Sequence, residues 1–214
     1  MFILDSIGFG SAFALLIPLS YTPDVAFEIS GAWFAAPSVI IMFYFLNIFG
    51  QFISSSNRKK EEDSKLDVIK WGILERLGFV LIYLTLNYFL DSSLILVFFL
   101  ITYGIFVYSS GAILPAYFDL VSRVLYKHRA IFFAANLTTG SLAGFLVSRY
   151  VDFRIQEKGL VEGFSDGLLV VIAITSLSLI PLILIKEPKG ISQKKKKLNI
   201  AICLLYTSDA ADDL

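Results

Sequence analysis

The chain has 214 residues, of which 57% are hydrophobic and 17% are charged, and its mean hydropathy is +0.75. Soluble domains carry roughly 25% charged residues, and a chain this apolar cannot cover its surface with polar groups in water. The composition therefore predicts an integral membrane protein. The 18 basic and 18 acidic residues cancel, so no basic excess supports a nucleic-acid partner. One Cys and one His disfavour a disulfide framework and a metal site, and we expect no cofactor.

Apolar runs divide the chain into six predicted spans. A spanning helix needs about 20 mostly apolar residues to cross roughly 30 Å of hydrocarbon. The pattern predicts an all-α, polytopic membrane protein with six transmembrane helices, in one membrane domain over residues 1–198. The six spans are predicted at about 2–22, 31–54, 70–90, 93–118, 130–149 and 166–185.

The C-terminal tail, residues 199–214, differs in character from the rest of the chain. Within it, residues 203–214 resemble a transposase adapter from a sequencing library, translated in one reading frame. We expect 203–214 to be non-native and the natural protein to continue beyond Ile202. The alternative is a genuine acidic C-terminus.

The distribution of Lys and Arg predicts the orientation. The segments after the second, fourth and sixth spans hold 14 of these residues, and the segments on the alternate side hold three. The positive-inside rule therefore places the N-terminus and residue 190 in the cytoplasm and the 149–166 segment outside. By this topology Glu75 and Arg76 lie near the cytoplasmic end of the third span. No acid is then expected at mid-depth, so the sequence gives no support for proton coupling.

Polar side chains within the spans collect on helical faces. Tyr103, Ser110 and Tyr117 recur every seven residues along the fourth span, which places them on one stripe. Asn47 and Gln51 share one side of the second span. Facing such groups toward lipid is costly, so the stripes are predicted to point inward.

The fifth span carries a third polar face, formed by Asn136 and Thr139 together with Gly140 and Gly144. The two glycines have the small-xxx-small spacing that allows close helix packing. Two interpretations of the three faces stay open: they line a water-filled substrate cavity, or they bond and pack helices together. The predicted cavity residues are Asn47, Tyr103, Ser110, Asn136 and Thr139.

Enzyme interpretations lack a catalytic set. His128, the only His, falls in a predicted cytoplasmic loop, far from any intramembrane Ser that it could activate. The His-Glu-x-x-His motif and the Gly-x-x-x-x-Gly-Lys-Ser/Thr phosphate loop are both missing from the sequence. We expect that the protein is not an enzyme.

Local sequences add to this layout. Residues 73–79 read Ile-Leu-Glu-Arg-Leu-Gly-Phe, and residues 110–120 read Ser-Gly-Ala-Ile-Leu-Pro-Ala-Tyr-Phe-Asp-Leu. With Arg129, Asn136 and the Gly140/Gly144 pair, they resemble the third to fifth spans of some bacterial members of the major facilitator superfamily. The superfamily signature after the second span is altered over residues 50–60. Ser54 stands there in place of Asp and Asn57 in place of Gly, so the usual charge relay lacks its acid.

The resemblance, which covers about residues 2–198, implies the N-terminal six-helix half of a 12-helix fold. It implies a secondary active transporter that moves a small solute by alternating access, with the missing C-terminal half of the same chain as a partner. Asp119 and Arg129 would then flank a short loop and hold a cytoplasmic gate. The other expected partners are the lipid bilayer and a small-molecule substrate, and the expected location is a bacterial plasma (inner) membrane. The alternative is a complete six-span, non-catalytic membrane protein, such as a scaffold or channel subunit.

Overall fold

The structure, a computed structural model, describes residues 35–57, 64–89, 94–125 and 128–184, together with Ile7. These residues form helices that correspond to the second to sixth predicted spans, which confirms the all-α prediction. The helices are α1 (Ala35–Asn57), α2 (Ser64–Tyr88), α3 (Ile95–Val124), α4 (Arg129–Lys158) and α5 (Leu160–Leu184). The first predicted span, at 2–22, and the tail, at 199–214, lie outside the described residues.

Among the described residues, four helices are long and apolar enough to cross a membrane: Pro37–Ser56, Ile95–Val124, Ala130–Lys158 and Leu160–Leu184. They indicate an integral membrane protein. Helix α2 has 25 residues, enough length to span, but it carries five charged side chains and falls outside this group. These are Lys65, Asp67, Lys70, Glu75 and Arg76.

The segment between the fifth and sixth predicted spans is helical except at one residue. Helix α4 continues nine residues past position 149, and only Gly159 separates it from α5. The charged end of the helix is paired along its own length: Arg154 Nη1 lies 2.8 Å from Oε2 of Glu157, three residues later. Val151 and Ile155 in the same turns pack on the core. It ends at Gly159, whose φ of 93° suits a residue without a Cβ.

The helices pack in the spatial order α1, α3, α2, α5, α4. Helix α1 runs parallel to α3, since Met42 lies beside Gly104 and Asn47 lies beside Gly111. Helix α2 is antiparallel to both α3 and α5. Gly159 folds α4 back on α5 as an antiparallel hairpin, in which Gly163 contacts the backbone of α4.

Two clusters of buried apolar side chains form the core. All five helices contribute to the large cluster, whereas α2, α3 and α5 supply the small one. The large cluster comprises Val39, Phe79, Ile82, Leu86, Ile95, Phe99, Tyr103, Phe106, Val107, Val147, Val151, Phe164, Leu168 and Val171. The small cluster comprises Val68, Ala116, Tyr117, Leu120, Val121 and Leu182.

Candidate functional site

A buried polar layer separates the two apolar clusters. On each of α2, α3 and α5, its members fall between the residues that the helix gives to the large cluster and those that it gives to the small one. The polar layer consists of Glu75, Arg76, Ser109, Ser110, Thr175 and Ser178. Polar groups enclosed in this way are tolerated when their hydrogen bonds are satisfied inside the protein.

Arg76 is the centre of the polar layer, and its guanidinium joins α2 to α5. Its Nε donates to the Thr175 carbonyl oxygen at 2.9 Å, and its Nη2 donates to Ser178 Oγ at 2.8 Å. Ser178 in turn donates to the same Thr175 oxygen at 2.8 Å. The planar fork of an arginine suits two acceptors held at fixed spacing, as these are on one helix.

Two further contacts of this guanidinium lie within α2. Nη1 donates to the Gly72 carbonyl oxygen at 2.9 Å and lies 3.1 Å from Glu75 Oε2. A side chain on Gly72 would meet Nη1 at 3.0 Å, so a glycine one turn before Arg76 makes room for the charge. Both partners of the Glu75–Arg76 pair are buried, at 7% exposure each.

The pair lies further inside the structure than the sequence analysis expects. The apolar run begins at residue 71, but α2 itself begins at Ser64, so twelve residues of helix precede Arg76 and twelve follow it. On α5, charged contacts mark two levels: Asp166 binds Arg154, and the Ile183 carbonyl oxygen accepts from Lys65. These levels are seventeen residues apart, about 26 Å along the helix, and Arg76 binds α5 between them. An acid and a base therefore lie between the charged ends of the bundle.

The predicted stripe on α3 is turned inward. Tyr103 is 1% exposed and packs in the large cluster, where its ring centroid lies 5.9 Å from that of Phe99. Ser110 is buried in the polar layer, and Tyr117 is buried in the small cluster. Close packing surrounds Tyr103 and Tyr117, and whether water reaches the stripe stays a prediction.

Asn47, the predicted cavity residue on α1, lies at a close crossing of α1 and α3. Its amide oxygen accepts from Gln51 Nε2 at 2.8 Å, within α1. Its backbone carbonyl faces Gly111 of α3, so closely that a Cβ on Gly111 would overlap the carbonyl oxygen. Gly50 makes the same kind of approach to the backbone of Tyr108. Glycine on both helices permits this separation.

The predicted face of α4 contains an unsatisfied amide. Within the described residues, Asn136 Oδ1 is enclosed and has no hydrogen-bond partner. Thr139, on the same face, is half-buried and donates to the Ala135 carbonyl oxygen at 2.7 Å. Gly140 and Gly144 are both buried, consistent with a packed face. The amide oxygen therefore needs a donor that the described residues do not supply.

At the end of α3, Asp119 joins two elements. Its Oδ2 accepts from Ser64 Oγ of α2 at 2.5 Å and lies 2.6 Å from Arg123 Nη2, one turn further along α3. Arg129 begins α4, but its side chain lies outside the described part of the chain, so the predicted Asp119–Arg129 gate is untested. The link between α2 and α3 is the contact that sequence analysis missed here.

No family profile, curated protein or solved structure matches this chain. Among the described residues, no group of three or more His, Cys, Asp or Glu side chains could hold a metal ion.

Sequence reasoning noted Arg76 but did not find its partners. They lie 99 and 102 residues away on α5, beyond the reach of helical periodicity. A usable signal was present: Thr175 and Ser178 are three residues apart on an apolar span, hence on one face, and an inward charge needs such acceptors.

Proposed function

We propose that this chain is part of a secondary active transporter that moves a small solute by alternating access. A second half of the same chain would complete the substrate cavity. The protein would lie in a bacterial plasma membrane with its N-terminus in the cytoplasm, as the 14-to-3 bias of Lys and Arg predicts.

The enclosed amide oxygen of Asn136 carries this proposal. A buried acceptor without a donor costs about 1–3 kcal/mol, and more protein, water or a solute would remove that cost. Asn136 lies on a helix long and apolar enough to cross a membrane, where lipid offers no donor. The half-buried Thr139 lies on the same face, one turn or less away. A site for a polar ligand fits both observations.

The chemistry of the predicted cavity indicates the class of solute. Its members on α1, α3 and α4 offer hydroxyl and amide groups, and the buried Arg76 is already engaged by Glu75 and α5. A solute would therefore meet neutral hydrogen-bonding groups from this half. That favours a neutral or amphipathic solute.

Cysteine accessibility in the full-length protein tests the proposal. In a background without other cysteines, N136C should react with a small hydrophilic thiol reagent, and substrate should slow the reaction. L137C is the matched control, because Leu137 is the next residue and is 76% exposed on an apolar face, where lipid should exclude the reagent. An inert N136C, or equal reaction at both positions, would contradict a cavity at this face.

The downstream DNA separates the proposal from the alternative. Six further spans in frame after residue 202 support the transporter. A reading frame that stops near residue 202 favours a complete six-span scaffold or channel subunit.

A further inference from the structure

Helices α2 and α5 are joined by side-chain hydrogen bonds at three levels. At one end Lys65 Nζ donates to the Ile183 carbonyl oxygen at 2.6 Å, and at the other Asn87 Nδ2 donates to Ser165 Oγ at 3.0 Å. The middle level is Arg76. The donors of the two end contacts are the half-buried Lys65 and the exposed Asn87, whereas Arg76 is itself buried.

We propose that Arg76, neutralised by Glu75, is the positioning residue that sets the register of α5 against α2. This inference does not depend on the transport proposal.

The geometry of the acceptors is the first reason. Arg76 reaches the Thr175 carbonyl oxygen and Ser178 Oγ together, and these lie within one turn of α5. A slip of α5 by one turn moves Ser178 Oγ by about 5.4 Å, out of hydrogen-bond range, whereas the backbone carbonyl of Val171 or Leu179 would take the place of that of Thr175. The Ser178 hydroxyl is therefore the acceptor that is specific to one register. Apolar side chains such as Val171 or Leu182 would then approach the guanidinium. Packing alone discriminates weakly between such registers on either side of the two acceptors, because residues 167–174 and 179–184 are apolar or glycine throughout.

The second reason is the position of Glu75. The carboxylate lies on the same helix and 3.1 Å from Nη1, so α2 brings its own counter-charge into the buried polar layer. Burying a lone guanidinium is expensive in lipid, and a paired one is tolerated when its remaining donors are satisfied. Gly72, Thr175 and Ser178 supply those acceptors. These contacts offset the cost of burying the charge of Arg76. Because its N–H donors point in fixed directions, they select a surface of α5 whose acceptors are placed to match.

The test compares register and stability in the whole chain, in membranes and a C203S background. N87C/S165C reports the native register, because these side chains touch. N87C/L169C reports a slip of one turn, because Leu169 follows Ser165 by four residues. S64C/D119C joins α2 to α3 and is the control. Each pair is cross-linked with a short bifunctional thiol reagent in parent, E75Q, R76Q and E75Q/R76Q chains.

We expect E75Q and R76Q each to lower the Tm by about 10 °C, as breaking a buried ion pair does in a chain of this length. E75Q/R76Q should regain most of that loss, because no unpaired charge remains. It should nevertheless show a several-fold lower ratio of native to slipped cross-links, with the control unchanged. If the single variants do not accumulate, the double variant alone decides.

An unchanged ratio in E75Q/R76Q would overturn the proposal, since packing would then set the register without Arg76. A parallel fall in the S64C/D119C control would also overturn it, because the loss would be general unfolding.

Discussion

Gly111 of α3 touches the backbone of Asn47 of α1, and no side chain fits between them. The contact joins the two helices at a crossing where their main chains, not their side chains, meet. Such a crossing requires glycine at position 111, because even the methyl group of an alanine would not fit there.

G111A should therefore destabilise the protein by about 1–3 kcal/mol, as overpacking a close contact does. G104A is the matched control on the same helix face. A methyl group there meets only the flexible ends of Met42 and Leu46, at 3.1 and 3.3 Å, and should cost much less. Thermal unfolding in detergent measures both. A G111A Tm equal to that of the parent would mean that the crossing of α1 and α3 accommodates the methyl group without cost.

Thiol labelling from outside tests the predicted orientation of the chain in the membrane. In a C203S background, Q156C on the charged end of α4 should react with a membrane-impermeant thiol reagent added from outside, and S56C at the end of α1 should not. Both native side chains are exposed, whereas Ser64 is fully buried and would stay unlabelled on either side. The opposite labelling pattern would reverse the predicted orientation.

D119N should alter the balance between conformations more than it alters folding. Asp119 is bound by Ser64 and Arg123 at 2.5 and 2.6 Å, but about a third of its side chain is exposed, and exposed ion pairs contribute only about 0–1 kcal/mol. We expect a small change in Tm and a clear change in thiol labelling near the end of α3. Unchanged labelling and unchanged transport in the full-length protein would remove Asp119 from the gate.

At the α4–α5 hairpin, D166N should lower the Tm more than E157Q. Asp166 Oδ2 accepts from Arg154 at 2.6 and 2.7 Å and from Lys158 at 3.3 Å, so one carboxylate gathers two cations across the hairpin. Glu157 contacts Arg154 within α4 only, and 45% of its side chain is exposed. Differential scanning fluorimetry of the two variants checks the order. A greater loss in E157Q would mean that the contact across the hairpin is unimportant.

For the described residues, hydropathy predicted where the helices lie more accurately than where they begin and end. Apolar runs locate the part of a helix that lipid can cover, but α4 continues to Lys158, where an ion pair along the helix and the packing of Val151 and Ile155 both support its last turns. In the same way α2 starts at Ser64, six residues before the predicted start at 70, and this shift moves Arg76 to the middle of the helix.

The sequence predicted which helical faces carry the candidate site residues, but not which residues they contact. Helical periodicity placed Tyr103 and Ser110 on one inward side, where both are buried. It could not identify the partner of Arg76, because that depends on which helices are neighbours in space. Helical periodicity also did not predict that the amide oxygen of Asn136 lacks a hydrogen-bond donor among the described residues.

The single-residue break at Gly159 bears on how this part of the chain enters a bilayer. With only one residue outside helix, α4 and α5 leave almost no free loop to be carried across on its own. By the predicted topology, what crosses is a helical tip in which both cations, Arg154 and Lys158, are paired with acids, Glu157 and Asp166. A tip whose cations are paired costs less to translocate than one with lone cations, so the two helices are suited to membrane insertion as one preformed hairpin.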